Sequence, residues 1–202
     1  MRFHEPPQTL LDSKAKLKLL FYLFSQREVE MSERELARVL GLSNFSVNQL
    51  MKFFEQNNLV ERRRVGATTV WRLKQGSYYH QLFEPMFKQL STYPSSLEQL
   101  QNLVLSSYPL KKVSGIYLYG SVAYGHESYN SDIDLFVVVK SSTDNEEIER
   151  ASNKLRISCP ALYGNGIHIV VMNEAEYRRK RSSPLIKQVE KGIKFYSEEV
   201  QR

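Results

Sequence analysis

Hydrophobic positions recur at helical intervals through the first half of the chain and in short continuous runs through the second. The pattern predicts helices first and a sheet later. Residues 13–26 carry Leu17, Leu20, Phe21 and Phe24 at helical spacing behind Ser13, a residue suited to cap a helix. A second helix starts at Ser32, where Glu35 can complete a capping box, and stops at Gly41. The third spans about 43–57, with Val47, Leu50, Met51 and Phe54 on its apolar side. Two strand-like runs, 59–64 and 68–73, flank Val65-Gly66-Ala67 and read as a hairpin. Beyond the break at Gln75-Gly76-Ser77 come two more helices, 78–90 and 95–107. Their aromatic residues read as packing, and His80 as a half-exposed helix position.

The second half changes period. The apolar run 116–119 breaks at Gly120-Ser121, and Asp132-Ile133-Asp134 leads into a second run, 135–139. A helix is predicted to start across 141–144 and to continue through Ile148, Ala151 and Leu155. A third apolar strand, 167–172, follows the turn Gly164-Asn165-Gly166. A short helix around Glu176, a helix opened by Ser183-Pro184 and an edge strand at 192–196 complete the pattern. Strand, helix and strand in that order fit a small sheet covered by helices. The expected class is α+β in three segments. Residues 1–75 form three helices plus a β-hairpin, 76–110 a helical connector, and 111–202 a small mixed sheet with helices.

Composition narrows the field. One cysteine among 202 residues excludes a disulfide framework and suits a reducing cytoplasm. No run approaches the ~20 apolar residues of a membrane span, so no membrane role is expected. Residues 1–75 hold 13 Lys and Arg against 8 Asp and Glu, a net +5, which leaves +1 of the total +6 for the remainder. The basic excess therefore belongs to the helical third.

The acidic pair carries the chemistry. On a strand, Asp132 and Asp134 project from one face roughly 7 Å apart, at ~3.3 Å rise per residue. Two carboxylates at the mouth of a buried strand need a cationic partner. Magnesium carrying nucleotide phosphates is the natural one. Gly120 permits a turn that a side chain would block, and the amides after it, with the Ser121 hydroxyl, can face a phosphate.

Gly120-Ser121, ten intervening residues and Asp132-x-Asp134, with Gly125 and Ser131 between, resemble the nucleotidyltransferases of the DNA polymerase beta superfamily, in particular the minimal nucleotidyltransferase group. The resemblance covers about 111–197. It implies a nucleotidyltransferase fold, Mg2+ or Mn2+ as metal on Asp132 and Asp134, and a nucleoside triphosphate, with ATP the first choice. Gly120 and Ser121 are implied at the phosphates. Active members also place a third carboxylate on the third strand, facing the acidic pair. Here the assigned register puts His168 at that position, with Val170 and Met172 on the same face and no acid within the strand. Glu174 and Glu176 come after it. His168 can be a general base, although a buried histidine bonded to a neighbour is the more ordinary role for such a strand residue.

Residues 10–75 resemble winged helix-turn-helix transcription factors in arrangement. The resemblance implies that the third helix enters the major groove of double-stranded DNA. Its polar side offers Asn44, Ser46, Asn48, Gln49 and Lys52, of which Asn and Gln suit adenine edges. Arg62, Arg63 and Arg64 on the hairpin suit phosphates or the minor groove. Asn48 and Gln49, adjacent on a helix, cannot both read bases. The combined expectation is a cytoplasmic DNA-binding regulator whose second domain binds Mg-nucleotide but lacks the third catalytic carboxylate. A homodimer is expected from the two-fold symmetry of many DNA sites. The alternative is an active enzyme that transfers a nucleoside monophosphate to a protein, nucleic acid or small molecule. One form of it is antitoxin-like, acting on a protein partner. The basic run 178–181 is expected to be a solvated face.

Overall fold

The computed structural model describes residues 3–4, 6–26, 30–141 and 145–198. The chain divides into two compact units, Met1–Tyr93 and Pro94–Arg202.

In the first unit, Ser13 caps α1 (Lys14–Ser25) by accepting from the Lys16 amide. The two-residue strand β1 (Met31–Ser32) leads into α2 (Glu33–Leu40), where Ser32 and Glu35 close the capping box and Gly41 takes the left-handed conformation. Ser43 caps α3 (Asn44–Gln56), which puts Val47, Met51 and Phe54 fully into the core. Burial of that kind stabilises by roughly 1.5–3 kcal/mol per side chain. β2 (Val60–Val65) and β3 (Thr68–Leu73) pair antiparallel around Gly66-Ala67, and β1 adds to the outer edge of β3. Three helices followed by a hairpin make a winged helix.

Two expectations about this unit change. The buried side of α1 is Leu19, Leu20, Leu23 and Phe24, whereas Leu17 and Phe21 are exposed. His80 is buried, not half-exposed, and stacks on Phe24 with ring centroids 5.6 Å apart. Residues 76–110 divide between the units. α4 (Tyr78–Thr92) inserts Tyr79, Phe83 and Phe87 into the first core, and α5 (Ser96–Ser107) gives Leu100 and Val104 to the second.

The second unit is a four-stranded mixed sheet. β4 (Val113–Tyr119), α6 (Gly120–Tyr124), β5 (Ile133–Val139), α7 (Asn145–Tyr163) and β6 (Ile167–Asn173) are followed by α8 (Glu174–Arg179), α9 (Pro184–Glu190) and β7 (Ile193–Ser197). The spatial order is β6-β5-β4-β7, with β5 and β6 parallel and the other pairs antiparallel. The start predicted for α7 lies at residues 142–144, outside the described residues.

Alternation along β5 sorts two cores. Ile133, Leu135, Val137 and Val139 join Leu155 and Cys159 of α7 on one face. Phe136 and Val138 join Met172, Ile186 and Val189 on the other, beneath α8 and α9. Asp134 belongs to this second face, at the end of the sheet where β4 turns into α6. Among the described residues no helix is long and apolar enough to cross a membrane.

Candidate functional site

Strand pairing brings the predicted residues together at one end of the sheet. Asp134 lies opposite Tyr119 on β4 and His168 on β6. Asp132 sits one residue before β5, exposed, rather than within the strand as expected. His168 Nδ1 is 3.6 Å from Asp134 Oδ1. Its side chain is 64% exposed and that of Asp134 only 29%, so His168 is not the buried strand histidine of the ordinary reading.

The predicted register holds on β6. Val170 and Met172 pack with Phe136 and Val138, on the face that His168 shares with Asp134. Glu174 and Glu176 begin α8 beyond the far end of β6. Glu174 is six residues from His168, about 20 Å of extended chain, so no small slip of register brings either acid to the pair.

Glycines clear space for both carboxylates. Gly120 has φ +74°, and a Cβ there would lie well inside contact distance of Asp134 Oδ2 and 3.1 Å from its Cγ. A Cβ on Gly166 would come within 2.6 Å of Asp132 Oδ1. Asn165 holds the same loop, donating from Nδ2 to the Ser131 carbonyl at 2.8 Å and the Tyr129 carbonyl at 3.2 Å. The Ile133 amide donates to the Gly166 carbonyl at 2.8 Å. In sequence, Asn165-Gly166 reads only as a turn. A polar residue and a glycine just before the third strand were the available signal.

Burial raises the Asp134 carboxyl above its ordinary range; His168 draws it down and the charge of Asp132 pushes it up again. Asp134 is thus short of positive charge, and Gly120 and Gly166 keep space beside one oxygen of each carboxylate. Such a donor set fits a magnesium ion that takes its other ligands from phosphates and water. Among the described residues no group of three or more His, Cys, Asp and Glu is arranged to hold a metal by itself.

Flanking residues are mostly committed to packing. Tyr119 is buried against Phe136, and the Tyr124 hydroxyl donates to the Gln188 carbonyl. Ser121 is the second residue of α6, and its carbonyl accepts from the His126 amide. In the basic run, Arg178 pairs with Glu174, Lys180 with Glu176 and Arg181 with Glu190. Arg178 and Arg181 also line a cavity of about 600 Å³ with Ser114, Tyr117 and Tyr177; neither Asp132 nor Asp134 reaches it.

On the winged helix, the predicted reading residues separate. Gln49 and Lys52 lie on the exposed side of α3, and Asn44 at its exposed start. Ser46 is drawn into the cap, 2.8 Å from the Ser43 hydroxyl. Asn48 turns inward and donates to Glu33 Oε1 at 2.9 Å, the atom that also accepts from Trp71 Nε1. Arg62 pairs with Glu55 at 3.0 Å and Arg63 with Glu30 at 3.1 Å, while both remain largely exposed. Arg64 is exposed on the same strand.

Residues 98–199 match the family described as polymerase beta, nucleotidyltransferase. No curated protein sequence matches the chain. Among solved structures, a toxin-antitoxin with AMP-PNP is 25% identical over 51% of this chain and 74% of that one, with TM-score 0.37. A predicted DNA-binding transcriptional regulator from E. coli is 17% identical over 43% of this chain and 84% of its own, with TM-score 0.35. The transcriptional regulator HlyU from Vibrio vulnificus CMCP6 is 28% identical over 42% and 84%, with TM-score 0.33.

Proposed function

The chain belongs to the polymerase beta nucleotidyltransferase family, and we propose that it is a DNA-binding regulator whose Asp132–Asp134 pair holds a magnesium nucleotide without transferring it. The observation that carries this reading is the pairing of His168 with Asp134 in the β5–β6 ladder. It supports the reading that an exposed imidazole occupies the position at which the resemblance implies a third carboxylate.

The consequence is electrostatic. When bound, the metal would neutralise triphosphate charge and fix the phosphates for binding. Asp132 and Asp134 would supply its anionic protein ligands, and the glycines at 120 and 166 keep a Cβ away from Asp134 Oδ2 and Asp132 Oδ1. An ion that activates an attacking hydroxyl would lose an anionic ligand at His168 and gain a neutral nitrogen, which magnesium accepts less readily than oxygen and manganese tolerates better. Binding therefore survives more easily than transfer. ATP is the nucleotide we assign first.

DNA docking is supported by the exposed side of α3, by Arg62, Arg63 and Arg64 on the hairpin, and by the net +5 of residues 1–75. A homodimer on a two-fold site and a reducing, cytoplasmic setting belong to the same reading. The second reading, transfer to a protein, nucleic acid or small molecule, is favoured by the exposure of His168 beside Asp134, which leaves its ring open to an incoming hydroxyl.

Pyrophosphate release separates the two. We expect the protein to release none from ATP with magnesium or manganese, and His168→Asp to gain metal-dependent release. Release by the unaltered protein that Asp132→Ala plus Asp134→Ala abolishes would establish the enzyme instead.

A further inference from the structure

Phe45 stands 73% exposed in the first turn of α3. Gln49 and Lys52 follow it four and seven residues on, so the three form one stripe along the helix. They lie on the side opposite Val47, Met51 and Phe54, which are wholly buried. Of the other predicted readers, Asn48 is held by Glu33 and Ser46 by Ser43, while Asn44 stays exposed at the start of the helix. An aromatic ring thus leads a face that is otherwise amide and ammonium.

We infer that this stripe reads A·T pairs in the major groove, with Phe45 against the 5-methyl group of a thymine and Gln49 on an adenine edge. The inference rests on the DNA-docking reading above. Thymine methyl is the apolar group that the major groove presents, and a glutamine amide matches the donor and acceptor of adenine. Charge selects DNA as the occupant over another apolar surface. Lys52 lies on the stripe, and Arg62 is tied to α3 through Glu55, which puts its guanidinium beside the same helix. Phosphates flanking the groove complement both. Covering one methyl group changes affinity by about fourfold.

The test uses the full chain and a pool of random duplexes, selected at low salt. In the enriched duplex each thymine is then replaced in turn by uracil, which removes the methyl and keeps the base pair. We expect uracil at one or two positions to weaken binding about fourfold, Phe45→Ala to lose that penalty, and Phe45→Leu to keep part of it. Gln49→Ala should become indifferent to 7-deazaadenine at the neighbouring pair. An enriched duplex that tolerates uracil everywhere, or a penalty that persists in Phe45→Ala, overturns the inference and leaves DNA docking standing. A protein that enriches no duplex overturns both. Phe45 makes little contact within the fold, so these variants are expected to melt as the unaltered protein does.

Discussion

Replacing Gly120 by alanine isolates the space this site keeps for Asp134, because Gly125 offers a matched control. Both glycines are left-handed, with φ of +74° and +67°. A side chain in that conformation costs roughly 1–2 kcal/mol wherever it stands. At Gly125 an added Cβ meets nothing within 4 Å, so Gly125→Ala should lose about that much stability and nothing else. At Gly120 the added Cβ also approaches Asp134 Oδ2, Cγ and Cβ, the last two at 3.1 and 3.3 Å. Rotating the carboxylate tip moves Oδ2 away but leaves Cγ and Cβ crowded, so the whole side chain must shift. Urea unfolding measures the first cost, and thermal unfolding with and without Mg-ATP measures the second. A ligand at a hundred times its Kd stabilises the folded protein by about 2.7 kcal/mol. Gly125→Ala should keep that increment and Gly120→Ala should lose it. Equal ligand stabilisation in the two variants would refute the reasoning.

Three further outcomes follow from the same geometry. The fold favours the protonated form of Asp134, since burial raises its pKa. Its contribution to stability is therefore fullest below the ordinary value of 3.8 and is lost as pH rises through the raised one. Asp134→Asn should make the metal-free protein more stable at neutral pH, a gain that fades in melts run toward pH 3.8; a less stable variant at pH 7 would contradict the assigned cause. Asn165→Ala removes two hydrogen bonds from the Asp132 loop and should cost about 1–2 kcal/mol. It should also weaken Mg-ATP binding in calorimetry with both carboxylates intact, and unchanged affinity would deny Asn165 its positioning role. Replacing Arg62, Arg63 and Arg64 together by alanine should flatten the dependence of log affinity for DNA on log salt by about 2–3, if each arginine neutralises one phosphate; an unchanged slope would take the hairpin off the DNA.

Local rules made much of this architecture readable in advance. Ser13, Ser32 with Glu35, and Gly41 mark helix ends because caps depend on neighbours in sequence. The Gly-Ser turn and the Asp pair are spaced by strand geometry, so their meeting at one sheet end was legible too. Side-chain choices made through the fold were not. Leu17 and Phe21 satisfy the helical period of α1, but the core takes Leu19 and Leu23 instead, because burial depends on where the other helices lie. In sequence Asn48 is free to read bases, but Glu33, fifteen residues away, takes its amide together with the Trp71 indole. His80 was hidden by aromatic stacking that its own helix does not announce. Asn165 is the instructive case. Its role arises from reaching across to Tyr129 and Ser131, thirty-six and thirty-four residues earlier, a link no local pattern encodes.

Nucleotide binding by this protein stands or falls on Asp132 and Asp134. Calorimetric titration with ATP, first with magnesium and then with manganese, on the unaltered protein and on Asp132→Ala, decides the matter. Saturable, metal-dependent binding that the substitution removes is the expected result. Binding that survives Asp132→Ala, or no binding of any of the four ribonucleoside triphosphates by the unaltered protein, would contradict it.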